Sequence, residues 1–399
     1  MRPKLLITLF LAILALPALF VYVADPYQYF HKSFFAPDKF LKGSQRFQMP
    51  GILRHYVDED SGVDTIIAGA SLAQNYDLDL TAKAVGGNKA FSLSFPGGAP
   101  GEQALIIEKA LKPGHIKHVF WTIDPGWRRS IDEANNSRTF PHFLYNSNWI
   151  DDLNYAYGAD DMNLGLSYIM ANSKHSPKWR SYEKYGAARV RMSPYVMYGS
   201  WAPLDEKRML RVNDQIYREG KIKLINKRLK AQQADLTNGK LTFPTYADLD
   251  KDSFKTEKEI LTDLFERYPD VEFTIVAPPI FSLFYYSRSS GIRDLTVHRA
   301  RALVEISADY PNAQVYGFND PDIINDIRYY KDEGHYDRGI SRYILRQIAD
   351  GERKLTLDNV DEYTDNLIKT IHQFDVENPF AKPDFVKSIS FEGERVQSE

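Results

Sequence analysis

"VDTIIAGASLAQNY", residues 63–76, is the stretch whose reading decides the fold. Thr65, Ile66 and Ile67 are β-branched, and the run stops within a few residues at Gly69-Ala70-Ser71. That is too short for a helix. An uninterrupted apolar run closed by small residues describes a strand buried on both faces, the condition of a parallel sheet. Four further runs have the same form: "KAFSLSFPGG" (89–98), "HVFWTIDPG" (118–126), "VEFTIVAPP" (271–279) and "AQVYGFND" (313–320). Helical patterns lie between or after them at 101–111, 253–268, 293–310 and 338–351. The alternation predicts an α/β fold, a three-layer, doubly wound, mainly parallel sheet.

Composition narrows the function classes. The chain has 399 residues, with 50 Lys and Arg against 53 Asp and Glu and a formal net charge of −3. No basic stripe suits a nucleic-acid backbone. Cysteine is absent, so thiolate catalysis, disulfides and Cys-ligated metal sites are excluded. Aromatic residues make up 13 %, with 25 Tyr, a composition that suits carbohydrate or another flat partner.

The N-terminus is apolar and uncharged from Leu5 to Ala24, preceded by Arg2 and Lys4 and closed by Asp25-Pro26. Twenty residues at 1.5 Å each span roughly 30 Å, enough for the hydrocarbon core of a bilayer. The run exceeds the 7–15 residues of a signal-peptide core and lacks a small-x-small end, since Tyr22 stands two before Ala24. An uncleaved transmembrane anchor is the expectation, with a cleaved signal as the alternative. Arg2 and Lys4 would keep the N-terminus cytoplasmic and put the remainder on the other side, in the periplasm or at the cell surface. The expected organisation is an anchor or signal over 1–24, an irregular connector over 25–62 and an α/β domain over 63–352. A largely helical insertion occupies about 128–250, including a helical segment near 205–234, and 353–399 adds a charged helix and a tail.

In an open parallel sheet, ligands bind outside the carboxyl ends of the strands. Ser71 stands at the first such end, after Gly69, which permits a sharp turn. It can be a nucleophile beside oxyanion-stabilising backbone N–H groups, or a plain cap of the following helix. Late in the chain, "YYKDEGHYDRGI" (329–340) offers Asp332 and His335 three residues apart. A serine nucleophile needs a base, and the base needs an acid to orient it. Asp332, His335 and Asp337 could instead hold a divalent cation, although no His-x-x-x-His pair supports zinc.

These motifs resemble those of the SGNH-hydrolase superfamily. "IIAGASLAQNY" is similar to its early Gly-x-Ser block and "YYKDEGHYDRGISRYI" to its late Asp-x-x-His block. "SLSFPGGAPGEQ" looks like the second block. The resemblance implies a flavodoxin-like sheet, a Ser71–His335–Asp332 triad, and a backbone N–H of Gly97 or Gly98 in an oxyanion hole. In layout the chain is most similar to membrane-anchored extracytoplasmic members that serve D-alanylation of teichoic acids or O-acetylation of alginate-type polysaccharides. It shares with them one N-terminal anchor, a GxS block and a D-x-x-H-Y ending, here Asp332 to Tyr336.

That likeness implies an O-acyltransferase or esterase working on a cell-envelope glycan without a cofactor. Its partners would be the polysaccharide, its acyl donor and a membrane acyltransferase, with no nucleic acid. One departure stands out. Where many members carry Gly-x-Asn-Asp after the third strand, this chain has "WTIDPGWRR", ending in Asp124. An ionised carboxylate repels an oxyanion, so another donor is needed; Asn75, one turn beyond Ser71, is the candidate. The alternative is a glycan-binding or assembly protein on a degenerate scaffold. Trp149, Trp179 and Trp201, in polar loops, are candidates for stacking on sugar rings.

Overall fold

The structure, a computed structural model, describes residues 3–32, 34, 45–125, 140–146, 148–172, 236–326, 329–330, 334–336 and 338–375. In chain order its first helices are α1 (Pro3–Ala24) and α2 (Gln45–His55). Strand β1 (Thr65–Ala68), helix α3 (Leu78–Ala84), strand β2 (Ala90–Ser92), helix α4 (Pro100–Leu111) and strand β3 (His118–Thr122) follow. Two short helices, α5 (Leu153–Ala156) and α6 (Ala159–Asn172), precede a small hairpin, β4 (Leu236–Thr237) and β5 (Lys240–Leu241). Next come α7 (Lys255–Arg267), β6 (Glu272–Ala277), α8 (Leu283–Ser287), α9 (Ser290–Ser307), β7 (Ala313–Gly317) and α10 (Pro321–Ile324). The last elements are α11 (Arg338–Ala349), β8 (Lys354–Leu355) and α12 (Val360–His372).

Six strands form one sheet in the order β2-β1-β3-β6-β7-β8. Every pairing is parallel except β7 with β8. The five short apolar runs are therefore the five parallel strands. Side chains alternate across the sheet, and both sides are dry. Ile66, Val119, Trp121, Phe273, Ile275 and Val315 join one core, with Ile107 and Leu111 of α4 and Leu261 and Leu264 of α7. Ile67, Phe120, Val276 and Tyr316 join the other, with Leu78 of α3, Ile344 of α11 and Leu367 of α12. This two-sided burial explains why these strands show no polar alternation.

Helix starts follow local chemistry. The Asp77 carboxylate caps α3 by accepting the Leu80 N–H at 3.0 Å. Pro100 opens α4, and Glu102 reaches back to the Ala99 N–H at 2.8 Å. The 25–62 stretch, expected as an irregular connector, departs from that reading because it contains α2. The sequence "QRFQMPGILRH" holds Pro50 and Gly51, both poor in helices. Tertiary packing overrides this, because a β-carbon on Gly51 would lie 2.1 Å from the Gln28 carbonyl oxygen. Only glycine lets α2 sit on that loop.

Helix α1 carries one charge, Lys4 in its first turn, is 22 residues long and almost wholly exposed, and is long and apolar enough to cross a membrane. Its end is tied down. The Asp25 carboxylate accepts N–H groups of Tyr29 (2.9 Å), Phe30 (2.8 Å) and His31 (3.0 Å), and the Tyr155 hydroxyl of α5 at 2.8 Å. Gly165 of α6 lies close against Ala24 and Phe20 of α1. Of the expected insertion, the helical segment near 205–234 lies outside the described residues, as does the tail beyond 375.

Candidate active site

Ser71 stands where β1 has just ended and a single 3-10 turn, Leu72–Asn75, begins. Gly69 makes the approach possible with φ +140, a region that disfavours side chains. A β-carbon there would meet the Ala73 Cβ at 2.7 Å and the Thr122 carbonyl oxygen at 3.0 Å. Ser71 forms no side-chain capping bond to that turn. Its hydroxyl is directed elsewhere: His335 Nε2 lies 2.7 Å from Ser71 Oγ. The two residues are 264 positions apart in sequence.

The loop that carries His335 is pinned to the turn that carries Ser71. Asn75 Nδ2 donates to the Tyr336 carbonyl oxygen at 3.0 Å. The Tyr76 and Tyr336 hydroxyls are 2.9 Å apart, both residues buried. Tyr330 and Tyr336 pair as an antiparallel bridge, which closes the loop at its neck. Tyr330 stacks on Phe281 with ring centroids 5.3 Å apart. Burial raises the pKa of Tyr76 and Tyr336, so this pair stays neutral and serves as a fixed hydrogen-bonded strut. Sequence reasoning missed the strut; the Tyr that follows His335 was its one visible sign. Asp332, the expected orienting acid, lies outside the described residues, as does Asp337 of the metal alternative.

The other expected oxyanion donors are placed as follows. The Phe95 N–H bonds the Gly69 carbonyl at 3.4 Å, so the turn after β2 lies beside the turn after β1. In "FPGG" the Gly98 N–H closes onto the Phe95 carbonyl at 3.3 Å, with Pro96 second and Gly97 third at φ +62. The Gly98 N–H is thus committed to its own turn. Arg46 of α2 holds that turn from outside, donating to the Gly97 carbonyl at 2.8 Å and to buried Glu102 at 2.9 Å. One N–H of the Asn75 amide is given to the loop that carries His335.

Asp124 is the unexpected neighbour. Ala68 of β1 is in register with Trp121 of β3, so Ser71 and Asp124 each stand three residues beyond that pair, past the ends of adjacent strands. The Asp124 carboxyl lies close to the Leu72 backbone N–H and within electrostatic reach of His335 and Arg299. Asp124 as a residue keeps some exposure, but its Oδ1 is sealed from solvent and has no hydrogen-bond partner among the described residues. Burial pushes its pKa up to about 7, against the opposing pull of the His335 and Arg299 charges. Arg299 Nη1 donates to the Asp124 main-chain carbonyl at 3.0 Å and so fixes the end of β3.

Of the loop tryptophans, Trp149 is described and is 71 % exposed, which leaves its ring available. Trp179 and Trp201 lie outside the described residues. No protein-family model matches this chain, and no curated relative matches its sequence.

Proposed function

We propose that the chain is an SGNH-like acyl-ester enzyme held at a membrane by α1, with its α/β domain on the extracytoplasmic side. The observation that carries this is the 2.7 Å contact between Ser71 Oγ and His335 Nε2 at the carboxyl ends of the sheet. That is the geometry a base needs to take a hydroxyl proton. A degenerate binding scaffold has no reason to hold the two side chains in this way.

In the proposed reaction His335 Nε2 takes the Ser71 proton as Oγ attacks the ester carbonyl carbon. The carbonyl electron pair moves onto oxygen, giving a tetrahedral oxyanion. Collapse expels the leaving alkoxide, which receives the proton back from Nε2. A second hydroxyl, from water or from an envelope glycan, then attacks the acyl-serine by the same route in reverse. Asp332 is assigned to the imidazole nitrogen facing away from Ser71, where it would fix the tautomer.

Two features support a membrane setting. Helix α1 has the length and composition of a span. Trp149, Ile150, Leu153, Tyr157 and Leu166 are exposed on the segment that packs at its foot, a mixture suited to the lipid headgroup level. The substrate class that follows is an acylated envelope polysaccharide or its acyl donor.

A fluorophosphonate probe and aryl acetates test the chemistry. The probe should add to Ser71, and Ser71→Ala should abolish labelling and lower hydrolysis by roughly 10³-fold or more. Labelling that persists in Ser71→Ala removes Ser71 from its assigned role.

A further inference from the structure

We infer that Asp124 acts as a neutral carboxylic acid and donates its O–H to the oxyanion formed at the acyl carbon on Ser71. This rests on the Ser71–His335 reading above and adds a side-chain donor at the position where Asp124 was expected to be an obstacle.

The argument is geometric. Asp124 follows the end of β3, the strand paired with β1, as many residues beyond Trp121 as Ser71 is beyond its partner Ala68. Its carboxyl lies near the N–H of Leu72, the residue directly after Ser71. The oxygen left over, Oδ1, is solvent-sealed and unpartnered among the described residues. A buried carboxylate oxygen with no donor is costly, whereas a protonated carboxyl presents a donor that waits for an acceptor. Ser71 is the reacting atom beside it, so the oxyanion is the acceptor that arrives. Two of the expected donors are already engaged: the Gly98 N–H closes a turn, and one N–H of Asn75 Nδ2 is given to the His335 loop.

Charges around the group act in both directions. His335 and Arg299 favour the ionised form, and burial outweighs them. Tyr76 and Tyr336, whose ionisation Asp124 would oppose, stay neutral. During reaction the oxyanion disfavours loss of the Asp124 proton to solvent, which would place a second negative charge beside the first; the proton is shared along the O–H···O bond and is back on Asp124 when the intermediate collapses. The carboxyl that looked like an obstacle when read as ionised becomes the donor when read as an acid.

The experiment follows the rate of Ser71 modification by a fluorophosphonate between pH 5 and pH 9 in the full chain and in Asp124→Asn and Asp124→Ala. In the wild-type chain the rate should fall above about pH 7 as Asp124 ionises. Asp124→Asn keeps an N–H donor in the same place, so the alkaline fall should vanish and the rate near pH 9 should exceed wild type about tenfold or more. Asp124→Ala should be slower by roughly 10²–10³-fold at its best pH.

An alkaline fall unchanged in Asp124→Asn overturns the inference. So does a loss in Asp124→Asn that is greatest above pH 7, which would mark an ionised carboxylate serving His335. Failure of the wild-type chain to label at Ser71 overturns the Ser71 reading itself, and the inference falls with it. If the variants do not fold, infrared spectroscopy of the wild-type chain decides. A protonated-carboxyl band, lost as the pH is raised through 7, is expected, and its absence at pH 6 overturns the assignment.

Discussion

Gly69 and Asp124 carry opposite kinds of strain at one spot. Gly69 holds φ +140 with its missing β-carbon 2.7 Å from the Ala73 Cβ, so Gly69→Ala combines backbone strain with a clash. We expect a loss of about 1–3 kcal/mol or more in chemical denaturation, with Ser71 displaced and probe labelling reduced. Asp124 titrates against folding. Its pKa is about 7 in the fold and near 3.8 when exposed, so the folded state binds the extra proton. Its contribution is intact below about pH 4 and is lost as the pH rises toward and through 7. Asp124→Asn should therefore raise the melting temperature, by more at pH 8 than at pH 5; thermal melts at the two values check the sign. At this scale Ser71 and His335 were legible because nucleophile and base have few substitutes. The role of Asn75 was not, because the direction of its amide depends on a loop 261 residues away.

Among the elements, α1 and α2 show what local pattern can and cannot announce. Helix α1 is visible from composition alone, since an uncharged run from Leu5 to Ala24 has few other uses. Carbonate extraction should leave the full chain with the membranes and release a chain that starts at residue 25. Helix α2 was hidden by Pro50 and Gly51, and it exists because Gly51 fits against the Gln28 carbonyl. Strand β8 was hidden because two residues carry no periodicity; it pairs with Tyr316 and Val315 through Lys354 and Leu355. The foot of α1 rests on Asp25, whose carboxylate satisfies three N–H groups and the Tyr155 hydroxyl. Asp25→Ala strands those donors, at roughly 1–3 kcal/mol for each one left buried. Limited proteolysis between residues 25 and 45 should speed up in that variant while the α/β domain stays resistant.

Taken whole, the order of short apolar runs was enough to predict the parallel sheet, because both of its faces are dry. The attachment of that sheet to α1 was not foreseeable, because it depends on single atoms of a loop and a glycine. That attachment has its own consequence. From Gln28 to Gly51, from Arg46 to the Gly97 carbonyl, and from the Phe95–Gly69 bond to Ser71, each step is a direct contact or a short stretch of one element. With α1 in a bilayer, the nucleophile stands at a height set by folded structure and not by the slack of a tether. Such a protein cannot lean outward to reach polymer already laid down far from the lipid. On the proposed reading, its substrate would be carried to it or caught while still growing at the membrane. A chain cut free at residue 25 should therefore turn over dissolved aryl esters as before. It should turn over an acyl donor embedded in vesicles poorly, and recover only when re-anchored at the same point.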